Sequence, residues 1–369
     1  MKPYRAAVIG LGRMGSTFDD EMKAGGQIYL PYCHTPTYVA SPHTELVAGV
    51  DPHEGQRQIY GERWGLDAEH LYSDYREMLE REQPDIVSVC TTARVRAEIV
   101  ETVARAGVKA IWSEKPLAIS LAEADSMVQV CADNSVAIAV NCARRYNPHY
   151  AMARQLIDEG QIGDLLQITH YASCHLSHNG SHAIDAMCYY VDGGVDWVFG
   201  EMESDEEAAG DNDLAGNGYL AFEGGVRGYL RAMSTGSAVS WDLELIGTEG
   251  SIRLRQSGDE CELTKTAPGA ISGRPGPARI PFPSPTHMQG MGLTIMDDLV
   301  EAVSEGREPR CSGRDGLAAL EIAMALRESH RRGGTRVELP LQDRSLCIHS
   351  AETREDDTPA RIRRERAQS

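Results

Sequence analysis

Apolar runs and helical patterns alternate along the first part of the chain. Short apolar runs that predict buried strands occupy residues 4–9, 45–50, 85–90, 108–112 and 136–140. Apolar residues at helical spacing cover 94–106 and 121–133. Because strands that alternate with helices form parallel sheets, this region predicts an α/β domain with a doubly wound parallel sheet.

The pattern changes from residue 165 onward. Five runs there predict strands with no long helix between them: 165–171, 218–222, 225–232, 240–246 and 250–254. A loop rich in Pro and Gly, 267–285, then precedes two predicted helices, 291–304 and 315–331. This half of the chain therefore predicts an α+β domain with an open, largely antiparallel sheet.

Three glycines follow the first predicted strand. Gly10, Gly12 and Gly15 form a G-x-G-x-x-G pattern between that strand and a helix. In this position the backbone can approach a pyrophosphate, and the amides at the helix N-terminus stabilise its charge. The alternative is an ordinary turn. We expect a dinucleotide to contact the three glycines and the two residues between Gly12 and Gly15, which are Arg13 and Met14.

An acidic residue stands where the second predicted strand ends. The Asp51 carboxylate could accept hydrogen bonds from the ribose hydroxyls and would repel a 2'-phosphate, which favours NAD over NADP. Asp51 lies about twice as far from the glycines as is usual. The segment 25–42 lies between the glycines and Asp51 and accounts for this distance. We interpret it as a lid or a substrate-facing insertion. Two alternatives remain: Asp51 is only a turn residue before Pro52, or Arg57 accommodates a phosphate.

Composition narrows the classes of protein. A formal net charge of -19 opposes binding to nucleic acid or to an anionic membrane. The first apolar run is too short for a signal peptide or a membrane span, so we expect a cytoplasmic protein. Nine scattered cysteines without a C-x-x-C pair favour reduced thiols over a disulfide framework.

Six motifs in order are similar to landmarks of one family. They are the glycine pattern, Glu114-Lys115-Pro116, Arg144-Arg145-Tyr146, the G-Q-I-G run at 160–163, the G-S-H-A-I-D run at 180–185 and the G-T-E-G run at 247–250. The chain resembles the Gfo/Idh/MocA dehydrogenases, which include glucose-fructose oxidoreductase and inositol dehydrogenase. The resemblance implies a Rossmann domain, a second domain with an open sheet, and an active site in the cleft between them. It also implies a homodimer or homotetramer assembled through that sheet.

The resemblance and the patterns together set the expected domain limits. We expect an NAD-binding Rossmann domain over 1–125 and a substrate-binding and oligomerisation domain over 126–345. The last segment, 346–369, is charged and almost without apolar residues, so we expect a mobile tail.

The resemblance implies that Lys115 holds the reacting hydroxyl and that His182 moves its proton. Oxidation of an alcohol needs a proton acceptor, and a neutral imidazole suits this role near pH 7. The three donors of a lysine can bind a developing alkoxide. The alternative for Lys115 is a surface lysine before a turn proline. Asp185, three residues after His182, either orients the imidazole or is an acid favoured by the helix dipole.

Other expected contacts follow from the same motifs. Where the family usually has an aspartate four residues before the histidine, this chain has His178, which cannot supply a fixed negative charge. We assign substrate contacts to His178, Asn179, Arg145 and Asp185, and further cofactor contacts to Thr91, Thr92, Glu114 and Lys115. The usual proline, asparagine and histidine after the fourth strand are Thr92, Ala93 and Arg96 here. Cysteine and histidine residues at 174–182 lack the spacing of a closed zinc site, so we expect no metal.

These observations predict an NAD-dependent oxidoreductase that acts on a ring hydroxyl of a sugar, glycoside or cyclitol. Two alternatives remain open. The protein could be an NAD-dependent glycosidase or lyase that acts by transient oxidation and elimination, or a dinucleotide-binding sensor without catalysis. The first alternative would release an aglycone without accumulating NADH.

Overall fold

The computed structural model describes residues 2–22, 30–234, 241–267, 276–286 and 288–350. The chain forms two compact units: the first is Met1–Ala143 with Met288–Leu317, and the second is Arg144–His287 with Ala318–Ser369. The division falls at Ala143 rather than at the predicted limit of 125, because the helix and strand that follow residue 120 complete the sheet of the first unit.

The first unit contains a six-stranded sheet in which every neighbouring pair is parallel. Its strands are β1 Tyr4–Ile9, β2 Thr44–Val50, β3 Leu71–Tyr72, β4 Ile86–Val89, β5 Ala110–Ser113 and β6 Ala137–Val140. The spatial order β3-β2-β1-β4-β5-β6 is that of a doubly wound Rossmann sheet. Strands β4 and β5 are buried along their whole length, which explains their continuous apolar sequence.

Helices connect these strands, and the predicted helices 94–106 and 121–133 correspond to the last two of them. They are α1 Phe18–Met22, α2 His34–Ala40, α3 Glu54–Trp64, α4 Tyr75–Glu82, α5 Ala93–Arg105 and α6 Leu121–Asp133. Helix α2 corrects the interpretation of 25–42 as a lid or a substrate-facing insertion. Its side chains at His34, Thr35 and Tyr38 are fully buried, so α2 is a core element. Residues 25–29 lie outside the described residues.

The second unit contains a nine-stranded sheet that is largely antiparallel, as predicted. Its strands are β7 Leu165–Ala172, β8 Val195–Met202, β9 Gly216–Phe222, β10 Arg227–Ala232, β11 Asp242–Gly247, β12 Gly250–Arg255, β13 Glu260–Ala267, β14 Gly276–Ile280 and β15 Val337–Glu338. The order is β14-β13-β12-β11-β7-β10-β9-β8-β15, and within the described strands only β7 and β10 pair in parallel. Sequence patterning missed β8, β13, β14 and β15.

Helices complete both units. They are α7 Pro148–Asp158, α8 Gly180–Cys188, α9 Asp205–Ala208, α10 Met291–Glu305 and α11 Gly313–Arg331, with α10 in the first unit. Within the second unit, α8 packs on β7 and β10. Helix α11 lies so close to the sheet that a Cβ at Gly200 would stand 2.1 Å from the Leu326 carbonyl oxygen. None of the described helices is long and apolar enough to cross a bilayer.

The two faces of the second sheet differ. Along β7, Ile168, His170 and Ala172 are buried, whereas Tyr171 on the opposite face is 43% exposed. From Ile168 onward the alternation has the period of two that a sheet covered on one side requires. Phe199 on β8 and Tyr229 on β10 are also exposed, so the uncovered face carries aromatic side chains.

The start of the predicted mobile tail is ordered. Ile348 is buried, and His349 donates its backbone N–H to the Asp211 carbonyl oxygen at 2.7 Å. This pairing corrects the predicted limit of 346, since residues 346–350 pack against the second unit. The remaining residues, 351–369, lie outside the described residues.

Candidate active site

The glycine turn in the first unit has the shape that a dinucleotide requires. Gly10 has φ +92°, and a Cβ there would stand 2.9 Å from the backbone of Cys90. A Cβ at Gly15 would stand 2.1 Å from the Gly10 carbonyl oxygen, so both positions need glycine for the turn itself. A Cβ at Gly12 would meet no atom within 4 Å, so this glycine leaves open space rather than avoiding a clash.

Asp51 lies beside this turn, as predicted. One carboxylate oxygen accepts the Leu11 backbone N–H at 3.1 Å, and the other accepts the His53 backbone N–H at 3.0 Å. Arg57 donates to the Asp51 carbonyl oxygen at 2.8 Å. The carboxylate thus fixes the glycine turn to the end of β2, and each oxygen retains acceptor capacity for a ribose hydroxyl.

Arg13 and Met14, which lie between Gly12 and Gly15, differ in their surroundings. Arg13 is exposed and forms an ion pair with Glu21 at 2.6 Å, while its guanidinium lies 4.2 Å from the Phe18 ring centroid. Met14 is half-buried. Among the described residues, Thr91 Oγ1 is buried without a hydrogen-bond partner. The open space at Gly12 and this orphaned hydroxyl fit a dinucleotide cofactor.

Glu114 and Lys115 directly follow β5. Glu114 belongs to a network of polar side chains that the sequence did not predict. The buried Glu114 Oε1 accepts hydrogen bonds from Asn141 Nδ2 at 2.6 Å and from His34 Nε2 at 3.1 Å. Its other oxygen accepts the Lys115 backbone N–H at 3.2 Å. Burial alone would raise the pKa of Glu114, but the hydrogen bond and charge of His34, the charge of Lys115 and the hydrogen bond from Asn141 lower it to about 2. Glu114 is thus a carboxylate that fixes the backbone of Lys115.

Arg96 ties the Lys115 segment to the loop after β4. Its buried guanidinium donates to the Pro116 and Thr91 carbonyl oxygens. Thr92 precedes α5 as its N-cap residue, without a side-chain capping bond. The arginine at the family's usual histidine position therefore joins the two loops that carry the predicted cofactor residues.

His182 belongs to the second unit and lies in the first turn of α8. The helix begins after Asn179, and a Cβ at Gly180 would stand 2.4 Å from the His175 carbonyl oxygen. The close approach fixes the entry of the chain into α8. The His182 side chain is 6% exposed and lies edge-on to Trp241, with ring centroids 6.3 Å apart. His178 and the exposed Asn179 precede it in the same loop.

A buried carboxylate supports this loop, and sequence reasoning missed it. The two oxygens of Asp213 accept the backbone N–H groups of Ser177 and His178, each at 2.8 Å. Asp213 is 2% exposed, and burial raises its pKa although the two amides lower it. Asp213 is thus an acidic group near His178 that accepts hydrogen bonds from the backbone of the loop. The sequence did not indicate it, because it lies 35 residues from His178 along the chain.

Arg145 and Asp185 lie together in the second unit. The Arg145 Nε donates to both Asp185 oxygens at 2.9 and 3.1 Å, and Nη2 lies 2.8 Å from Oδ1. Both side chains are buried. Asp185 thus carries an arginine partner in addition to its place one turn after His182, and its charge is balanced within the unit.

Further polar side chains lie around Trp241, which also contacts His182. The Arg144 guanidinium lies 4.5 Å from the Trp241 ring centroid, and the buried His170 ring lies edge-on at 6.1 Å. Burial, together with the Arg144 charge, lowers the pKa of His170 to about 3. Trp241 itself has φ +55°, a conformation that non-glycine residues rarely adopt and that is common near functional sites. The sequence alone did not distinguish it from a packed aromatic.

Comparisons with known proteins agree with this geometry. The model of the oxidoreductase family with an NAD-binding Rossmann fold matches residues 4–142, and that of its C-terminal alpha/beta domain matches 154–339. Scyllo-inositol 2-dehydrogenase (NAD(+)) of Bacillus subtilis (strain 168) is 27% identical over 89% of this chain and 94% of its own. Myo-inositol 2-dehydrogenase of Thermotoga maritima is 26% identical over 88% and 96%. An inositol dehydrogenase homolog from Azotobacter vinelandii, solved with NADH and myo-inositol, superposes with a TM-score of 0.72 at 18% identity over 91% of this chain and 97% of its own. The chain belongs to the Gfo/Idh/MocA family of NAD-binding oxidoreductases.

Proposed function

We propose that this protein oxidises a ring hydroxyl of a sugar, glycoside or cyclitol, with NAD as the hydride acceptor. The observation that carries the proposal is the pair of supports beneath two reactive side chains: Glu114 fixes Lys115, and Asp213 holds the loop that leads into His182. The relatives named as NAD-dependent inositol dehydrogenases support the same reaction class.

His182 accepts the hydroxyl proton in this proposal. Because it lies in the first turn of α8, the positive end of the helix dipole disfavours the imidazolium and favours the neutral ring, which can accept a proton. The C–H bond of the alcohol breaks with its electron pair, and the O–H proton moves to the imidazole. The products are a ketone, the reduced cofactor and one proton.

Lys115 binds the reacting oxygen. Its ammonium group donates hydrogen bonds that strengthen as negative charge develops on that oxygen. The fixed backbone of Lys115 reduces the entropy lost when the side chain is oriented. His178, Asn179 and the Arg145–Asp185 pair complete the proposed substrate contacts.

NAD, when bound, supplies the nicotinamide carbon that takes the hydride. We assign its pyrophosphate to the turn of Gly10, Gly12 and Gly15 with Arg13 and Met14, and its ribose to Asp51. Thr91, Thr92 and Glu114 belong to the nicotinamide side. The negative charge of Asp51 favours NAD over NADP.

A substrate screen tests the proposal. Purified protein is mixed with NAD and a panel of sugars, inositols and glycosides, and NADH absorbance and released aglycone are followed in the same reactions. We expect NADH to accumulate with at least one ring polyol. Aglycone release without NADH would support transient oxidation and elimination instead, and NAD binding without turnover of any compound would support a sensor.

A pair of glycine variants tests the cofactor site. Gly12→Val fills the open space beside the turn and should abolish NAD binding without changing the melting temperature. Gly210→Val is the control, because a Cβ there meets only one atom within 4 Å, at 3.7 Å. Calorimetric titration with NAD distinguishes the two. Unchanged affinity in Gly12→Val would contradict the assignment.

We also propose that a second copy covers the apolar face of the nine-stranded sheet, giving a homodimer or homotetramer. Phe199 and Tyr229 are exposed there, and they contact Tyr219 with ring centroids 6.2 and 5.3 Å apart. An exposed apolar cluster of this kind is typical of an interface. Light scattering should give a multiple of 40.3 kDa for the wild type and the monomer mass for Tyr229→Glu. Ile59→Glu, at an exposed apolar residue of α3, is the control.

A further inference from the structure

The proposed reaction gives no role to His34, a buried histidine of the first unit. His34 opens α2 and is fully buried against Trp112, with ring centroids 3.8 Å apart. Both ring nitrogens have partners: Nδ1 lies 2.8 Å from Ser88 Oγ, and Nε2 lies 3.1 Å from Glu114 Oε1. A histidine that only filled space would not need two such partners.

The ionisation of Glu114 sets the direction of its hydrogen bond with His34. An ionised carboxylate only accepts, so His34 Nε2 carries a proton and donates a hydrogen bond to Glu114. His34 Nδ1 pairs with the Ser88 hydroxyl. Ser88 Oγ in turn lies 2.7 Å from the Tyr38 hydroxyl, which is buried and stays protonated because burial raises the pKa of Tyr38. The hydrogen bonds from Tyr38 through Ser88 and His34 to Glu114 therefore form one continuous chain.

This chain of hydrogen bonds ends at Glu114, the residue before Lys115. Glu114 Oε1 accepts from His34 and from Asn141, and Glu114 Oε2 accepts the Lys115 backbone N–H. Loss of the His34 donor would leave Asn141 as the remaining side-chain donor to Oε1 in the described structure. The carboxylate could then rotate, and both its charge and its hold on the lysine backbone would change.

We propose that His34 is a positioning residue for Lys115 and acts through Glu114, a role that rests on the proposed function of Lys115. Helix α2 thereby couples the segment between the first two strands of the sheet to the reacting hydroxyl. The His34 Nε2–Glu114 bond is the functional link, whereas the Nδ1–Ser88 bond fixes the orientation of the ring.

Two amide substitutions separate the two ring nitrogens. The Gln side-chain nitrogen in His34→Gln can reach the position of Nε2 and donate to Glu114, whereas the Asn nitrogen in His34→Asn reaches only the position of Nδ1. We expect kcat to fall by about tenfold to a hundredfold in His34→Asn and by less than about threefold in His34→Gln, since misplacement of a reactive group costs rate in this range. The KM for NAD should change little in both.

A measurement without substrate distinguishes the positioning role of His34 from the proposed role of Lys115 in the reaction. The chain has five lysines, so methylation with ¹³C-formaldehyde gives few dimethyl-lysine NMR signals, and Lys115→Arg identifies that of Lys115. We expect the Lys115 signal to titrate at lower pH in His34→Asn than in the wild type, and to return in His34→Gln. A neighbouring carboxylate favours the ammonium form, which gives the sign.

The outcomes are distinct. Identical Lys115 titration in all three proteins, or parallel losses of kcat and melting temperature in both His34 variants, would show that His34 is only structural and would overturn the inference. A shifted titration with full activity of Lys115→Met would refute the role of Lys115 in the reaction and leave the coupling to His34 standing.

Discussion

Glu114 in the first unit and Asp213 in the second unit are almost equally buried, yet their pKa values shift in opposite directions. Glu114 is 4% exposed, and its pKa falls to about 2. Asp213 is 2% exposed, and its pKa rises above the usual value. Each carboxylate lies beneath a proposed site residue, Lys115 in one case and His178 in the other.

The difference lies in the donors. Glu114 receives an imidazole N–H, an amide N–H and a backbone N–H, and the charges of His34 and Lys115 add to them. Asp213 receives two backbone amides, and burial outweighs them together with the more distant charges of His175 and Arg327. Burial therefore does not decide the ionisation of a site carboxylate; the number and charge of its donors do.

The largest effect should come from removing the two proposed reactive side chains, Lys115 and His182. Lys115→Met removes the proposed donor to the alkoxide and should lower kcat by about 10²–10³-fold. His182→Ala removes the base and should lower it by about 10²–10⁴-fold. Lys109→Met, at an exposed lysine paired with Asp85, is the matched control and should keep full activity. Full activity in either site variant would remove that residue from the mechanism.

Glu114→Gln should give the next largest effect, measured as stability. The lowered pKa stabilises the fold by about 3 kcal/mol at neutral pH. Because the folded pKa lies below the unfolded value of 4.5, this stabilisation is complete above pH 4.5 and is lost as the pH falls toward 2. Urea unfolding at pH 7 and at pH 4 measures the difference from the wild type. A difference that grows on acidification would have the wrong sign.

His170 is a buried base in the second unit, and burial shifts its pKa as well. Its folded pKa of about 3 lies below the usual value of 6.5, so protons bind the unfolded chain first. This contribution to stability is complete above pH 6.5 and declines as the pH falls, by about 2 kcal/mol between pH 7 and pH 5. His170→Asn should flatten the pH dependence of urea unfolding by that amount. Equal slopes in both proteins would contradict the assignment.

Asp213→Asn should have the smallest effect. The raised pKa means that the charged form destabilises the fold, and this cost grows as the pH rises through the folded pKa. An asparagine removes the cost but loses one acceptor for a backbone amide, worth about 1 kcal/mol. The melting temperature at pH 7 should therefore change by only a few degrees, and a loss as large as that in Glu114→Gln would overturn the comparison.

The sequence predicted those elements whose apolar pattern is continuous. Strand β1 and helix α6 have the limits that the pattern predicts, because both bury a regular set of apolar side chains. Strand β13 was missed because its sequence, ECELTKTA, contains only three apolar residues among eight. The strand lies in the outer part of the second sheet, next to the edge strand β14.

The candidate site divides in the same way. The glycine turn and Asp51 are local motifs, and the structure brings them together. His34 and Glu114 are 80 residues apart in the chain, and Asp213 lies 35 residues from His178. Only the tertiary fold pairs such residues, so neither support could be predicted from spacing or composition.

The ratio of NADH formed to substrate consumed tests the central claim most directly. With the best compound of the substrate panel and an excess of NAD, the account predicts one NADH for each hydroxyl converted to a ketone. Consumption of substrate without NADH would contradict it, because the hydride would then return to the substrate within each turnover.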